Sequence, residues 1–489
     1  MPRERPDIIL EPGRTFQEFS LLPAYGKKDC VIKNVNLETR LHSKLSLGIH
    51  MLSAAMTSVT LKDMALALGK EKGMGVLPAR LAYEEQADTV KQIKSYEMGF
   101  VEEPLKVRET ATIEEVLLQV TQHGHSKVPV VDKNNIFLGF FVYQDYIDKM
   151  QSQVRRTDPV TRAMITIEGG VPYVTKPDLN VQEAKKLLEE KSASYLVVLD
   201  EQRRLVKLAF KKDEEKLKVA AAISTHPGWQ SRVRANIDAG VDLIVIDTSD
   251  GHKEFTEDVI KEYKAMGIEV PICAGNIVTY AGAEDLIEAG ADIVKIGMSS
   301  GSICITKRTK AVGRAPMTAL MDAADARDDY EKKTGKHIPL IMDGGITGPA
   351  DMIIALKLAN ACMMGGYFNR FYEAAGDKLD QNEKPTTDES AIQKVATWGE
   401  GSMKAQNLAR YGHSAQHTFF PEGVEGTVEY AGRLKPNLKR DLTIIRAAMA
   451  NAGCYDLEQY RKEAVIELNS PVANELITNP HNVEVKGGK

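Results

Sequence analysis

One pattern recurs through the second half of the chain and leaves few folds open to it. A short apolar run, rich in Val and Ile, ends in Gly or a small polar residue, and a helix-like stretch follows. Such runs stand at 219–223, 243–247, 270–274, 293–297, 338–343 and 361–365. Continuous apolar runs of about four to six residues suit parallel strands buried on both faces, since a strand with one wet face would alternate. Between them, 281–289 and 350–359 carry apolar residues at helical spacing. Alternation of this kind builds βαβ units. Two further runs, at 48–52 and 73–77, lie near the N-terminus. The sum is eight, the number that closes a (β/α)₈ or TIM barrel, so the expected fold class is α/β with that barrel at its centre.

The interval between the second and third runs is too long for one helix and a loop, and it repeats itself. Ile113, Val131-Asp132 and Gln144-Asp145 match Val181, Leu199-Asp200 and Lys212-Asp213, and the offsets 181 − 113, 199 − 131 and 212 − 144 all equal 68. Each copy reads as an amphipathic helix (113–123; 181–191), a strand (127–131; 194–199), a turn and a second strand. Twin units can bury open sheet faces against each other. The expected organisation is a first barrel segment at 1–103, an inserted domain at 104–215, and the rest of the barrel at 216–489. The insert reads as a regulatory module or as a purely structural oligomerisation module. At about 150 residues per domain, 489 residues fit such a division. A third feature is the polar stretch 373–433, whose aromatic residues keep no clear period. Loops of that length in a compact enzyme are lids, binding elements or disordered; its Gly hinges, two His and Arg410-Tyr411 favour a mobile functional element.

Charge narrows the partners. Against 68 Asp+Glu stand 63 Lys+Arg, a net of 63 − 68 = −5, which gives no electrostatic basis for binding nucleic acid or an anionic membrane. No run approaches the roughly 18 to 20 apolar residues of a membrane span, and MPRERPDIIL is too charged for a secretory signal. Five scattered cysteines make neither a disulfide framework nor a zinc spacing. A cytoplasmic, reduced location is expected.

A barrel carries its active site at the C-terminal ends of its strands. Here those ends are followed by Asp247-Thr248-Ser249, Gly275-Asn276, Gly297-Met298-Ser299-Ser300-Gly301-Ser302-Ile303-Cys304, Asp343-Gly344-Gly345 and Gly365-Gly366. Glycines let backbone N–H groups approach a phosphate closely, and barrels often place that site after strands seven and eight. A phosphorylated ligand is therefore expected, with Asp343 placed either to accept from a ribose diol or to cap a helix. Cys304 alone among the cysteines sits in such a loop, where N–H donors can hold a thiol partly as the attacking thiolate; the bland alternative is a small packing residue. Gly73-Met74-Gly75-Val76-Leu77-Pro78 breaks the dinucleotide fingerprint at its last glycine, so a nicotinamide cofactor would bind without a Rossmann fold. His123-Gly124-His125 has no supporting metal ligands and reads as a solvated turn.

These elements together resemble the inosine-5′-monophosphate (IMP) dehydrogenase family: a barrel interrupted by tandem cystathionine-β-synthase-type (CBS, or Bateman) repeats, a loop reading GSICIT, a DGGI phosphate loop, and a long flap with Arg-Tyr followed by EGV. The resemblance implies NAD-dependent oxidation of IMP to xanthosine monophosphate, with Cys304 adding to C2 of the purine. It implies that Arg410 activates water, with Tyr411 beside it and Thr306 assisting proton transfer. Asp343 would hold the ribose hydroxyls, and Ser302, Gly344, Gly345, Gly365 and Gly366 the phosphate. Met56 would pack on the base, and Gly399, Glu400, Gly401 and Glu422 would meet the purine edge. Asp247, Ser249, Asn276 and Gly297 belong to the nicotinamide side.

A potassium ion on the carbonyls of Ser299, Gly301 and Cys304, a homotetramer and a purine nucleotide effector at the repeats are also implied. The sequence departs from the family pattern in five places. Ser299 replaces the middle glycine of G-x-G-x-G, and no E-G-G stands near Ile477-Thr478-Asn479-Pro480-His481. Thr397 stands where a phosphate-contacting tyrosine is usual, and Tyr143-Gln144-Asp145 and Lys211-Lys212-Asp213 replace a Thr/Ser-x-Asp pattern. The rival readings are an NADPH-dependent GMP reductase, which needs no water-activating flap, a flavin-dependent barrel oxidoreductase, and a catalytically idle nucleotide sensor acting through the repeats.

Overall fold

The computed structural model describes residues 8–94, 100–101, 104–123, 127–151, 153–193, 195–210, 217–407 and 421–478. Arg410, Tyr411, Gly124, His125, Lys211, Lys212, Asp213, Asn479, Pro480 and His481 lie outside the described residues. The chain divides into two compact units, Met1–Lys94 with Leu217–Lys489, and Ser95–Lys216.

The first unit is a closed barrel of eight parallel strands: β1 (Met51–Ser53), β2 (Met74–Leu77), β3 (Val219–Ile223), β4 (Leu243–Asp247), β5 (Ile272–Ile277), β6 (Ile293–Ile296), β7 (Leu340–Asp343) and β8 (Ala361–Met364). Each pairs in parallel with the next, and β8 closes on β1. Nearly every strand residue is buried, which is why the runs read as continuous rather than alternating. Three strands begin two or three residues later than the apolar runs suggest. β5 starts after Pro271 and β7 after Pro339, since proline has no N–H to give the ladder. β1 starts after Gly48, Ile49 and His50; the Ile49 N–H is instead given to Lys72 O at 3.3 Å.

Inside the barrel Leu52, Met74, Val76, Ala220, Ala222, Leu243, Val245, Cys273, Ile293, Ile341, Ala361 and Met363 form one cluster, with Leu41, Leu45 and Leu47 from the hairpin Thr39–His42/Leu45–Leu47 joined to it. The barrel is thus packed through its middle, and a ligand can enter only at an end.

His50, just ahead of β1, is fully buried, and neither ring nitrogen has a hydrogen-bond partner among the described residues. Burial, with the Arg446 and Arg461 charges adding to it, pushes its pKa down to about 3. The folded chain keeps His50 neutral where the unfolded chain, titrating near about 6.5, binds a proton. Stability is therefore lost as pH falls below that value, by about 2 kcal/mol at pH 5 from this residue alone. Denaturant melts of His50→Leu should show that much less acid destabilisation than the parent between pH 7 and 5. Equal slopes would show that His50 does not carry this term.

The second unit contains two matching four-stranded sheets. One orders Met164–Thr166, Phe137–Val142, Lys127–Val131 and Val107–Arg108; the other orders Tyr173–Thr175, Tyr195–Leu199, Leu205–Phe210 and Phe100–Val101. Their helices are Ile113–His123 and Val181–Glu190. The offset of 68 holds down to single hydrogen bonds. Asp132 Oδ1 accepts from the N–H groups of Asn134 and Ile136, and Asp200 Oδ1 from those of Gln202 and Arg204. Asn135 and Arg203 both take left-handed conformations, φ +66° and +61°. The two turns also bond each other: Phe137 N–H to Arg203 O, and Leu205 N–H to Asn135 O, both at 3.0 Å.

The barrel chain leaves for this unit after Lys94, whose ammonium donates to Leu217 O at 2.9 Å and to both Asp242 carboxylate oxygens at 2.9 and 2.8 Å. The last residue before the excursion and the first barrel residue after it are therefore clasped together. The stretch expected as one long loop at 373–433 instead carries a three-stranded antiparallel sheet, Lys378–Leu379, Lys394–Trp398 and Glu425–Glu429. Buried Val395 and Trp398 anchor its central strand. Among the described residues no helix is long and apolar enough to cross a membrane.

Candidate active site

Side chains of a strand alternate faces, so the inward row of each barrel strand can be followed upward. Along β4 to β7 it runs Val245 then Asp247, Cys273 then Gly275, Ile293 then Lys295, and Ile341 then Asp343. One step above the apolar middle, the same inward face becomes charged. Lys295, only 1% exposed, places its Nζ 3.0 Å from Asp247 Oδ1 and 2.9 Å from Asp343 Oδ2, and also donates to Asn276 Oδ1. Gly275 makes the room, for a Cβ there would lie 2.3 Å from Lys295 O and 2.8 Å from Lys295 Cβ. A register shift in the β5–β6 pairing at Gly275/Ile277 aims Asn276 into the group, where its amide donates to Asp343 Oδ2 at 3.0 Å and Gly297 O at 2.7 Å. Burial pulls the Lys295 pKa down, but the Asp343 and Asp247 carboxylates outweigh it and hold the ammonium above its ordinary range. Asp343 is therefore a member of this network rather than a helix cap.

The glycines that follow β7 and β8 come next along the chain. Gly344 and Gly345 take φ +82° and +73°, and a Cβ on Gly344 would lie 2.9 Å from Ser300 Oγ. A Cβ on Gly366 would meet Ser302 Oγ at 2.8 Å, and one on Gly365 would meet Met56 Sδ at 2.7 Å. Met56, Ser302, Gly365 and Gly366 thus share one wall. Gly297 is required where it stands, since a Cβ would fall 2.0 Å from Asp343 O.

Cys304 lies at the far side of this loop. It is the one described cysteine that is not buried; burial pushes the Cys273 thiol up to about 12 and raises Cys362 as well. Cys304 Sγ is 3.2 Å from Thr306 Oγ1, which donates to Glu422 Oε2 at 3.2 Å, and Lys310 Nζ is 2.6 Å from Glu422 Oε1. Backbone bonds fix this arrangement: Ile305 N–H to Glu422 O at 2.9 Å and Val424 N–H to Ile303 O at 3.0 Å. The sheet at 378–429 thereby reaches the cysteine loop, bringing Gly399, Gly401 and Glu422 beside it, with Glu422 N–H bonded to Gly401 O at 3.0 Å.

Four further residues singled out in the sequence have the following surroundings. Glu400 has its carboxylate engaged within the protein, by Thr57 N–H at 2.6 Å, Thr57 Oγ1 at 2.8 Å, and the Arg80 guanidinium. Ser249 is exposed on the turn after β4. Thr397 is buried and accepts from Asn369 Nδ2 at 3.1 Å. Ser299 keeps a left-handed φ of +63° despite its side chain, whose hydroxyl donates to Val312 O at 2.7 Å. The described residues hold no cluster of three or more His, Cys, Asp or Glu suited to a metal ion. Sequence reasoning missed Lys295 and Arg80. A lysine inside the apolar run IVKIG was the one local signal for the first.

A family model described as IMP dehydrogenase / GMP reductase domain matches residues 13–476. The chain belongs to this family. Members similar to it include the inosine-5′-monophosphate dehydrogenase of Tritrichomonas foetus, 34% identical with 95% of each chain covered. Those of Escherichia coli K12, 33% identical with 93% of each covered, and Aquifex aeolicus, 31% identical with 93% and 92% covered, are similar in the same way. A GMP reductase variant from Trypanosoma brucei, in complex with guanosine 5′-monophosphate, shares the fold at a TM-score of 0.68 and 23% identity, over 97% of this chain and 99% of that one.

Proposed function

We propose that this chain is an IMP dehydrogenase that oxidises inosine 5′-monophosphate to xanthosine 5′-monophosphate with NAD. The observation that carries the reading is the accessible Cys304 thiol, 3.2 Å from Thr306 Oγ1 and facing the rim that also holds Asp343 and the phosphate-loop glycines. The nucleotide would place its phosphate on Ser302, Gly344, Gly345, Gly365 and Gly366, its ribose hydroxyls on Asp343, and its base between Met56 and the 399–401 turn. Asp247, Ser249, Asn276 and Gly297 would face the nicotinamide.

An aromatic C2–H has no leaving hydride until that carbon becomes tetrahedral. The Cys304 sulfur adds to C2 and its proton departs to solvent. The C2–H bond then breaks with its electron pair going to NAD, which leaves a Cys304–C2 thioimidate. Water next adds to C2, the C–S bond breaks, and xanthosine 5′-monophosphate and the free thiol are restored. The hydrogen-bonded series Cys304, Thr306, Glu422 gives protons a route at that carbon. By resemblance Arg410, with Tyr411, activates the water and Thr306 assists the proton transfer; an arginine, which stays protonated in proteins, does so only with a relay beside it.

The left-handed Ser299 fits a cation loop in which glycine would take that conformation, so the carbonyls of Ser299, Gly301 and Cys304 are the proposed potassium ligands. A homotetramer and a purine nucleotide effector on the second unit belong to the same reading.

NADH formation from IMP and NAD tests the reaction. Arg410→Ala should give a burst of about one NADH per site followed by a slow rate, because oxidation proceeds and hydrolysis stalls. A protein that forms no NADH but consumes NADPH with GMP would be a reductase instead.

A further inference from the structure

Arg80 stands three residues beyond β2, on a different rim loop from every residue assigned above. Its side chain is 3% exposed, and its Nε is paired with the Glu400 carboxylate, itself 13% exposed. A second guanidinium nitrogen donates to the Glu400 main-chain carbonyl. Arginine's planar fork thus grips both the side chain and the backbone of one residue, which fixes the orientation of that peptide as well as its position. The opposite side of Glu400 is held by Thr57, whose hydroxyl accepts from Trp398 Nε1 at 2.9 Å, while Ser58 Oγ donates to Trp398 O at 2.7 Å. Three rim segments, after β1, after β2 and at 398–401, are bolted together at Glu400. A charged pair buried this far stabilises little over an apolar pair of the same shape, so its geometry is the property that an apolar pair would not reproduce.

We propose that Arg80 is a positioning residue for base recognition: through Glu400 it sets the orientation of the 399–401 main chain that reads the purine edge. This rests on the proposed nucleotide site. Arg80 touches no reacting atom, and its effect falls on the base end of the ligand, leaving the phosphate and ribose end alone.

The test compares dissociation constants of IMP and ribose 5-phosphate for the parent, for Arg80→Met, and for Arg80→Met combined with Glu400→Leu. Arg80→Met should weaken IMP about 10- to 100-fold, the scale of a misplaced contact, and leave ribose 5-phosphate within about twofold of the parent. The double variant has no orphaned buried charge and should recover thermal stability, yet bind IMP as weakly as Arg80→Met; it carries the test if the single variant does not fold. Equal weakening of both ligands, unchanged IMP binding, or restored IMP binding in the double variant would each overturn the proposal. A parent protein that binds ribose 5-phosphate but not IMP would instead overturn the reading of the site itself.

Discussion

Cys304→Ala should fold like the parent and form no NADH from IMP and NAD, a loss of at least about 10⁴-fold in turnover. The size follows from the chemistry. Without sulfur at C2 the carbon stays trigonal, and neither proximity nor the rest of the rim supplies another path for hydride to leave. Folding should be spared because the side chain is only partly buried and its hydrogen-bond partner, Thr306, keeps its bond to Glu422; a change within about 1 kcal/mol is expected. The Cys304→Ala protein should still bind IMP, which a quenching or calorimetric titration would show. Residual NADH formation above about one part in a thousand of the parent rate would rule out the covalent route.

Lys295→Met should be the most damaging change away from the cysteine, and in a different way. Removing the ammonium leaves the carboxylates of Asp247 and Asp343 facing a buried position with no cation between them. Loss of one partner from such a group costs about 3–5 kcal/mol. Because Asp343 is also the proposed ribose acceptor, IMP and NAD affinity should fall together. A second change, Asp247→Asn, removes one of the two opposed charges and should return part of the stability to Lys295→Met while lowering that of the parent, a coupling that urea denaturation of the four proteins would measure. Additive losses would show that Lys295 and Asp247 do not interact as their 3.0 Å separation implies.

How much of this was legible in sequence depends on how local the physics was. The barrel strands announced themselves because burial on both faces writes an unbroken apolar run, and two of their late starts traced to Pro271 and Pro339, whose missing N–H no hydrophobicity pattern reports. Asp343, Gly344 and Cys304 were legible because each follows a run end. Lys295 was not: the period-two rule that places Ile293 inward places Lys295 inward too, but a charge there makes sense only once Asp247 and Asp343 are seen on neighbouring strands. Arg80 and Glu400 are 320 residues apart, and no local pattern connects them. The sheet at 378–429 was hidden by strands of two to five residues in polar sequence, with Leu379, Val395 and Trp398 as its buried hydrophobic anchors. Arg410 entered by resemblance only, since acid–base chemistry would choose almost any other side chain first.

The clasp at Lys94 bears on ancestry. Because Lys94 holds Leu217 O and Asp242, the 122 residues between (216 − 94 = 122) depart and return at a single point of the barrel. The entropy of closing that excursion depends only weakly on its length, so the barrel's folding is nearly blind to what has been spliced in. Selection can then rewrite, shorten or delete the duplicated module as a cassette, and the catalytic scaffold need not change a strand to accommodate it.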